Sequence, residues 1–334
     1  MSAQSWLTSI WYGGVAPPWW LTPLSAAYAA ISTLRRFAYA RHWMRSTRLS
    51  CPVIVIGNLT VGGTGKTPLV SWLAGQLAER GFRPGVVTRG YGGSSRAARL
   101  VQASDDCEIV GDEAILLARR SRAPIATGRN RPAAAQLLVN AGCDVILSDD
   151  GLQHYALQRD CEIIVVDGDR LFGNGRLLPA GPLREKPARL RRADAVVLNG
   201  GDAPSEGAMR MRLQASNAIA LKYGTPKPLR EFSGRPVHAI AAIGNPQRFF
   251  ALLRAAGIDV VEHPLPDHKQ LKIDDISFPD DLPVLMTEKD AVKCEGVAGP
   301  HHWFVPVNVV FAAGDSEKLR GIVAECVEKR AART

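Results

Sequence analysis

The 334-residue chain is predicted to be an α/β protein, with a mainly parallel sheet covered by helices on both faces and a second, smaller α/β unit. Three observations predict this. The β-branched run Val53-Ile54-Val55-Ile56 opens directly into a glycine-rich loop, which a helical pattern follows. Further runs at 85–88, 124–127, 162–166 and 195–198 are apolar without alternation, as strands buried on both faces are. A second such run, 144–148, ends in the acidic pair Asp149-Asp150.

Residues 1–50 come first and read as an amphipathic, helical, membrane-associating segment. They hold five of the seven tryptophans and no Asp or Glu, and Arg35, Arg36, Arg41, Arg45 and Arg48 give them +5 of the net charge of +9. Amphipathic aromatics favour the headgroup boundary of a bilayer. Pro17, Pro18 and Pro23 interrupt the apolar run, so the segment is expected to lie on an anionic membrane surface instead of crossing it. Arg41, Arg45 and Arg48 have the spacing of one helical face, each gaining on the order of 1 kcal/mol beside anionic lipid. The competing reading is a helix packed on its own domain. The arginines follow the apolar stretch, the reverse of a secretory signal. No nucleic-acid-binding module is recognisable, so a membrane or an anionic substrate is the expected partner and nucleic acid is not.

The loop itself is Thr60-Val61-Gly62-Gly63-Thr64-Gly65-Lys66-Thr67, the form G-x-x-x-x-G-K-[ST] with Thr60 in place of the first glycine. Glycines let backbone N–H groups converge on phosphate oxygens, and the helix that follows adds the positive end of its dipole. Lys66 is placed to reach β- and γ-phosphates and Thr67 to offer its hydroxyl to Mg²⁺. Leu69, Val70, Leu73 and Leu77 give the helix an apolar face, and Gly81 stops it. The fold is therefore expected to be P-loop NTPase-like, binding ATP and magnesium. Asp149 or Asp150, at the end of its apolar strand, is a candidate for holding the metal.

A smaller α/β unit is expected from about residue 231, giving the division 1–50, 51–230 and 231–334. It opens with Val237-His238-Ala239-Ile240-Ala241. A helix from Asn245 carries Phe249, Phe250, Leu252 and Leu253 to Gly257, strands lie near Val260 and at 284–286, and a last strand around 305–311 precedes a helix over 315–330. The six cysteines have neither C-x-x-C nor metal-ligand spacing, which fits a reducing compartment and small apolar side chains without assigned chemistry.

These features alone leave three readings: a kinase acting on a lipid, a membrane-recruited ATPase switch acting on a protein partner, and a soluble kinase of a small metabolite. More distant motifs favour the first. Gly57 to Pro68, then Thr88-Arg89-Gly90-Tyr91-Gly92, Gly111-Asp112-Glu113, Asp149-Asp150-Gly151-Leu152-Gln153-His154, Leu178-Pro179-Ala180-Gly181-Pro182-Leu183-Arg184-Glu185, Asp267-His268 and Thr287-Glu288-Lys289-Asp290 follow one another through most of the chain. In this order they resemble the tetraacyldisaccharide 4′-kinase family of Gram-negative lipid A biosynthesis. Ala114 and Lys269-Gln270-Leu271 depart from the family's usual residues.

The resemblance implies a peripheral or monotopic enzyme on the cytoplasmic face of the inner membrane. It would move the γ-phosphate of ATP to the 4′-hydroxyl of an acylated glucosamine disaccharide 1-phosphate. It implies Asp112 as acceptor of the hydroxyl proton and His268 as its partner, in a cleft between the two units. Lys66 and Arg184 would join them in catalysis, Arg184 neutralising phosphate through its planar fork. Thr67, Glu113, Asp149 and Asp150 are the metal candidates, and Arg89, Tyr91, Arg129 and Glu185 the substrate candidates. Beyond Arg184, the basic run Lys186, Arg189, Arg191 and Arg192 reads as a solvated face.

Overall fold

The computed structural model describes residues 3–201 and 207–332. Its helices are α1 (Ala3–Tyr12), α2 (Leu21–Ala40), α3 (Lys66–Glu79), α4 (Cys107–Val110), α5 (Asp112–Arg120), α6 (Arg131–Asn140), α7 (Pro246–Ala255), α8 (Ile273–Ile276), α9 (Glu288–Cys294) and α10 (Asp315–Ala331). Strands β1 (Val53–Gly57), β2 (Pro84–Thr88), β3 (Arg99–Val101), β4 (Ile125–Thr127), β5 (Val145–Asp149), β6 (Cys161–Asp167), β7 (Ala195–Asn199) and β8 (Met209–Gln214) belong to the larger sheet. The smaller sheet is built from β9 (Asn217–Ala220), β10 (Pro226–Pro228), β11 (Val237–Ala241), β12 (Val260–Pro264), β13 (Val284–Thr287) and β14 (His302–Val305). The final strand, β15 (Asn308–Phe311), returns to the larger one.

Nine strands in the order β15-β8-β7-β6-β1-β5-β2-β4-β3 make the larger sheet, parallel except at its two edges, where β15 and β3 run antiparallel to their neighbours. Side chains of a strand alternate between faces, and β1 uses both. Ile54 and Ile56 join the core that holds Leu69 and Leu73 of α3, whereas Val53 and Val55 join the core under α6 with Ala134 and Leu138. Burial on both faces is why β1, β2 and β5 read as unbroken apolar runs. Because β6, β1 and β5 are parallel neighbours, Asp167, the glycine loop and Asp149 all emerge on one edge of the sheet, where such folds collect their ligands.

The six-stranded sheet, ordered β10-β9-β14-β13-β11-β12, has its own core around Ala239, Phe250 and Leu285. The chain changes sheet at Asn217, ahead of residue 231, and changes back at Asn308. The stretch read as one strand over 305–311 is two strands in two sheets, because Pro306 has no N–H to continue a ladder. Helix α10 then places Leu319, Val323 and Val327 in the core of the larger sheet, beside α3.

The N-terminal helices are half packed and half bare. Ile10 and Leu21 are buried with Ala180, Ser25 Oγ donates to the Leu177 carbonyl at 2.8 Å, and Tyr28 Oη donates to the Arg184 carbonyl at 3.2 Å. On the other side Trp19, Ile31 and Leu34 are 82, 68 and 63% exposed, with Leu24, Phe37 and Trp43 exposed near them. The expected helical face of Arg41, Arg45 and Arg48 does not form. Arg41 caps α2, His42 takes φ 59°, and beyond them the chain is irregular, with Arg48 3.6 Å from Asp160. Among the described residues no helix is long and apolar enough to cross a membrane.

Candidate active site

The glycine loop wraps the N-terminus of α3 as the sequence pattern requires. Gly65 holds φ 89°, and a Cβ there would sit 2.3 Å from Asn199 Nδ2, the atom that donates to the Thr64 carbonyl at 2.9 Å. Gly65 is thus fixed by backbone conformation and by crowding. From the smaller sheet, the loop after β11 closes over it: a Cβ on Gly244 would meet Gly63 N at 2.6 Å, and Arg170 donates to the Gly244 carbonyl at 2.9 Å. Arg248 of α7 adds a 2.5 Å ion pair to Asp167, at the end of β6.

A cleft of about 1420 Å³ lies between the sheets. Its walls include the loop from Val61 to Thr67, then Arg89, Tyr91, Glu113, Asp149, Asp150, Arg184 and His268. Thr60 is buried outside it, paired through its backbone with Leu183. Apolar Phe249, Leu252, Val305 and Val307 line one part, and Trp11, Tyr12, Tyr28 and Arg35 of the N-terminal helices line another.

Two sequence-distant carboxylates organise the charges. Asp150, held at φ 48°, lies 3.5 Å from Lys66 Nζ and accepts both of its oxygens' hydrogen bonds from Arg184, at 3.0 and 2.9 Å. Burial would raise its carboxyl, but Lys66 and Arg184 outweigh this and hold it far below the usual range. Asp149 is the opposite case: burial, with Glu113 and Asp150 as like charges nearby, pushes its carboxyl up against the attraction of Lys66. Its Oδ2 accepts from the Thr67 hydroxyl at 3.0 Å, while its buried Oδ1 has no hydrogen-bond partner. An orphaned carboxylate oxygen beside a hydroxyl and a second carboxylate is a donor set that fits a hard, oxygen-loving cation such as Mg²⁺.

The second carboxylate is Asp112, first residue of α5. Gly111 before it has φ 92°, and a Cβ there would strike the Tyr91 carbonyl at 2.5 Å, so the glycine lets the 90–92 turn lie against the helix. Asp112 Oδ2 is 3.1 Å from His268 Nδ1, with Lys293 Nζ at 3.5 Å and Lys289 Nζ at 3.9 Å. Burial alone would raise this carboxyl, yet the hydrogen bond to His268 and the two ammoniums hold it at about 2. His268 is itself at φ 60°, a conformation uncommon for a side chain of its size, and its ring lies 4.5 Å from that of Tyr91. Its Nε2 is 3.3 Å from Lys289 Nζ, and Lys289 also pairs with Glu113 at 3.2 Å. His268 stands on the cleft wall with Asp112 behind it, 5% exposed.

Two substrate candidates lie elsewhere. Arg129 is exposed and does not line the cleft. Glu185 is buried and structural: it pairs with Arg36 of α2 at 3.2 Å and accepts from Gln153 Nε2 at 3.0 Å. Sequence reading missed Arg131 and gave His154 no role of its own. Arg131, 1% exposed, donates to Ser148 Oγ at 2.8 Å and brings a buried cation beside Asp149 and Asp150. His154 is held neutral, at about 3, by burial and by the cations Arg131, Arg89 and Arg35. The signal for Arg131 was Asn130, whose side chain caps α6 and so sets which arginine turns inward.

Residues 17–328 match the family model described as Tetraacyldisaccharide-1-P 4'-kinase. The chain belongs to the tetraacyldisaccharide 4′-kinase family. Among curated relatives named tetraacyldisaccharide 4'-kinase, that of Nitrosococcus oceani is 47% identical over 98% of this chain and 97% of its own. That of Alkalilimnicola ehrlichii is 49% identical over 92 and 94%. The crystal structure of LpxK from Aquifex aeolicus, described as an "apo" form in complex with ATP, superposes with a TM-score of 0.76 at 28% identity, covering 92% of this chain and 98% of that one. Membership in the tetraacyldisaccharide 4′-kinase family accords with the α/β sheet and glycine loop expected from sequence.

Proposed function

We propose that the cleft joins ATP, held on the 61–67 loop, to an acylated glucosamine disaccharide 1-phosphate whose 4′-hydroxyl faces the Asp112–His268 pair. The activity follows from the family: the chain is a tetraacyldisaccharide 4′-kinase, a phosphotransferase of lipid A biosynthesis. The observation that carries the site reading is the 3.1 Å contact between His268 and Asp112. There His268, on the wall of the cleft that holds Lys66, meets Asp112 behind it. A membrane-recruited ATPase switch is not favoured, because relatives matching almost the whole chain are kinases of the lipid precursor.

Thr67 and Asp149 would hold Mg²⁺, with Glu113 beside them, and the metal would supply charge neutralisation for the transferring phosphate. Lys66 binds the same phosphates and Arg184 meets the transferred group, both kept in place by Asp150. The acceptor hydroxyl gives its proton to the Asp112–His268 pair as the bond to phosphorus forms. Asp112, ionised at neutral pH, fixes the ring of His268 through Nδ1. Arg89, Tyr91 and His154 bound the acceptor side.

The acceptor enters along the N-terminal helices, whose inner residues Trp11, Tyr28 and Arg35 line the cleft while Trp19, Ile31 and Leu34 stand exposed. We place that bare face on the cytoplasmic leaflet of the inner membrane, as a peripheral contact. Incubation with Mg-ATP and the acylated disaccharide 1-phosphate tests the proposal. A doubly phosphorylated lipid is expected, and absence of product while ATP binds refutes it.

A further inference from the structure

At the opposite edge of the larger sheet from the cleft, the first residue of β6 meets helix α10. The sulfurs of Cys161 and Cys326 and a carboxylate oxygen of Asp194 lie within 4.8 Å of one another. Cys161 is sealed at 1% exposure, whereas Cys326 is half-buried and opens onto a recess of about 270 Å³. The recess walls carry Arg48, Arg159, Lys329 and Arg330, with Asp160 and Asp194 between them. Phosphoryl transfer has no use for any of these groups.

We propose that Cys161 and Cys326 form a redox pair, at which a hydroperoxide closes a disulfide between β6 and α10. The arrangement divides the labour. Cys326 is the accessible sulfur, and the neighbouring Cys161 thiol, with Lys329 next, lowers its pKa against burial, Asp194 and Glu325. Cys161 is the resolving sulfur, kept from solvent until needed. The Cys326 thiolate attacks the terminal peroxide oxygen and the O–O bond breaks, releasing hydroxide from hydrogen peroxide or alkoxide from an organic hydroperoxide and leaving a sulfenic acid. The Cys161 sulfur then attacks Cys326, the S–O bond breaks, and the leaving hydroxide takes the Cys161 proton as water. Two sulfurs lose one electron each and the peroxide is reduced.

The bond would fasten α10 to the sheet. That helix shares a core with Leu69 and Leu73 of the loop-bearing helix α3, and Arg320 donates to Gln76 Oε1 at 3.0 Å. The same three donors are a partial set for a soft metal ion. The carboxylate of Asp194 already accepts from Glu162 N at 2.7 Å, which favours the thiol chemistry.

Graded hydrogen peroxide on the full chain, followed by thiol counting and peptide mapping, decides. Two of the six thiols should disappear first, with a mass loss of about 2 Da, a linked peptide containing Cys161 and Cys326, and full recovery in dithiothreitol. Cys326→Ser should abolish the link. Cys161→Ala should leave Cys326 gaining about 32 Da as irreversible sulfinic acid; should that buried substitution fail to fold, Cys326→Ser alone decides. A first link between Cys51 and Cys143, or all six thiols reacting at one rate, overturns the proposal. So does protection of the pair by copurified zinc, released by chelator and not by reductant.

Discussion

Lys66 Nζ and Arg184 reach the same carboxylate, Asp150, at 3.5 and 2.9 Å. One strained residue at the end of β5 thereby aligns the cation of the glycine loop with a cation from a loop more than a hundred residues further along. Removing Lys66 leaves Asp150 to Arg184 and, in the proposed mechanism, would take the phosphate's main counter-charge away. Lys66→Ala is expected to lower kcat by on the order of 10³-fold with the fold intact by circular dichroism.

Gly65→Ala should damage the loop twice over. Its φ of 89° costs an L-residue about 1 kcal/mol, and the methyl carbon would press Asn199 Nδ2 at 2.3 Å. ATP affinity measured by calorimetry is expected to drop at least tenfold, the equivalent of about 1.4 kcal/mol. Adding Asn199→Ala should recover only part of it, since the backbone strain remains.

His154 supplies a pH signature. Its unfolded value is 6.5 and its folded value about 3, so between these the unfolded chain binds a proton that the folded chain refuses. Stability must therefore fall as pH falls through that window. From pH 7 to pH 5 the wild type should lose about 2 kcal/mol more in urea than His154→Gln does. Equal losses would mean that His154 is protonated among those arginines.

The exposed apolar face of α2 is separable from its packed face. Replacing Trp19, Leu24, Ile31 and Leu34 by Ser should cut recovery with anionic vesicles several-fold and leave the melting temperature within a degree or two, as substitutions of exposed side chains do. Deletion of residues 1–50 is a poorer test, because Ser25, Tyr28 and Arg36 bond the body of the protein.

Local features were readable and non-local ones were not. Strand, loop and helix around Lys66 are consecutive in sequence, so periodicity and glycine placement exposed the fold class and the candidate donor loop. Arg129 and Arg131 stand two residues apart in the same kind of sequence. Asn130 sets locally where α6 starts, but that Arg131 then meets Asp149 and Asp150 depends on β5, which is not local. The resemblance groups Glu185 with substrate contacts, yet its side chain turns to Arg36 of α2. The break at Pro306 was visible as a residue, but that it divides two sheets depends on partners elsewhere in the chain.

The pairing of Asp112 with His268 is the centre of the proposed mechanism, and a single comparison tests it: ATP affinity and single-turnover phosphoryl transfer measured side by side on Asp112→Ala. Transfer is expected to slow by about 10²-fold or more, with ATP affinity within about threefold of the wild type. Transfer at the wild-type rate, or a loss of ATP affinity equal to the loss of rate, would contradict the assignment of this pair as proton acceptor.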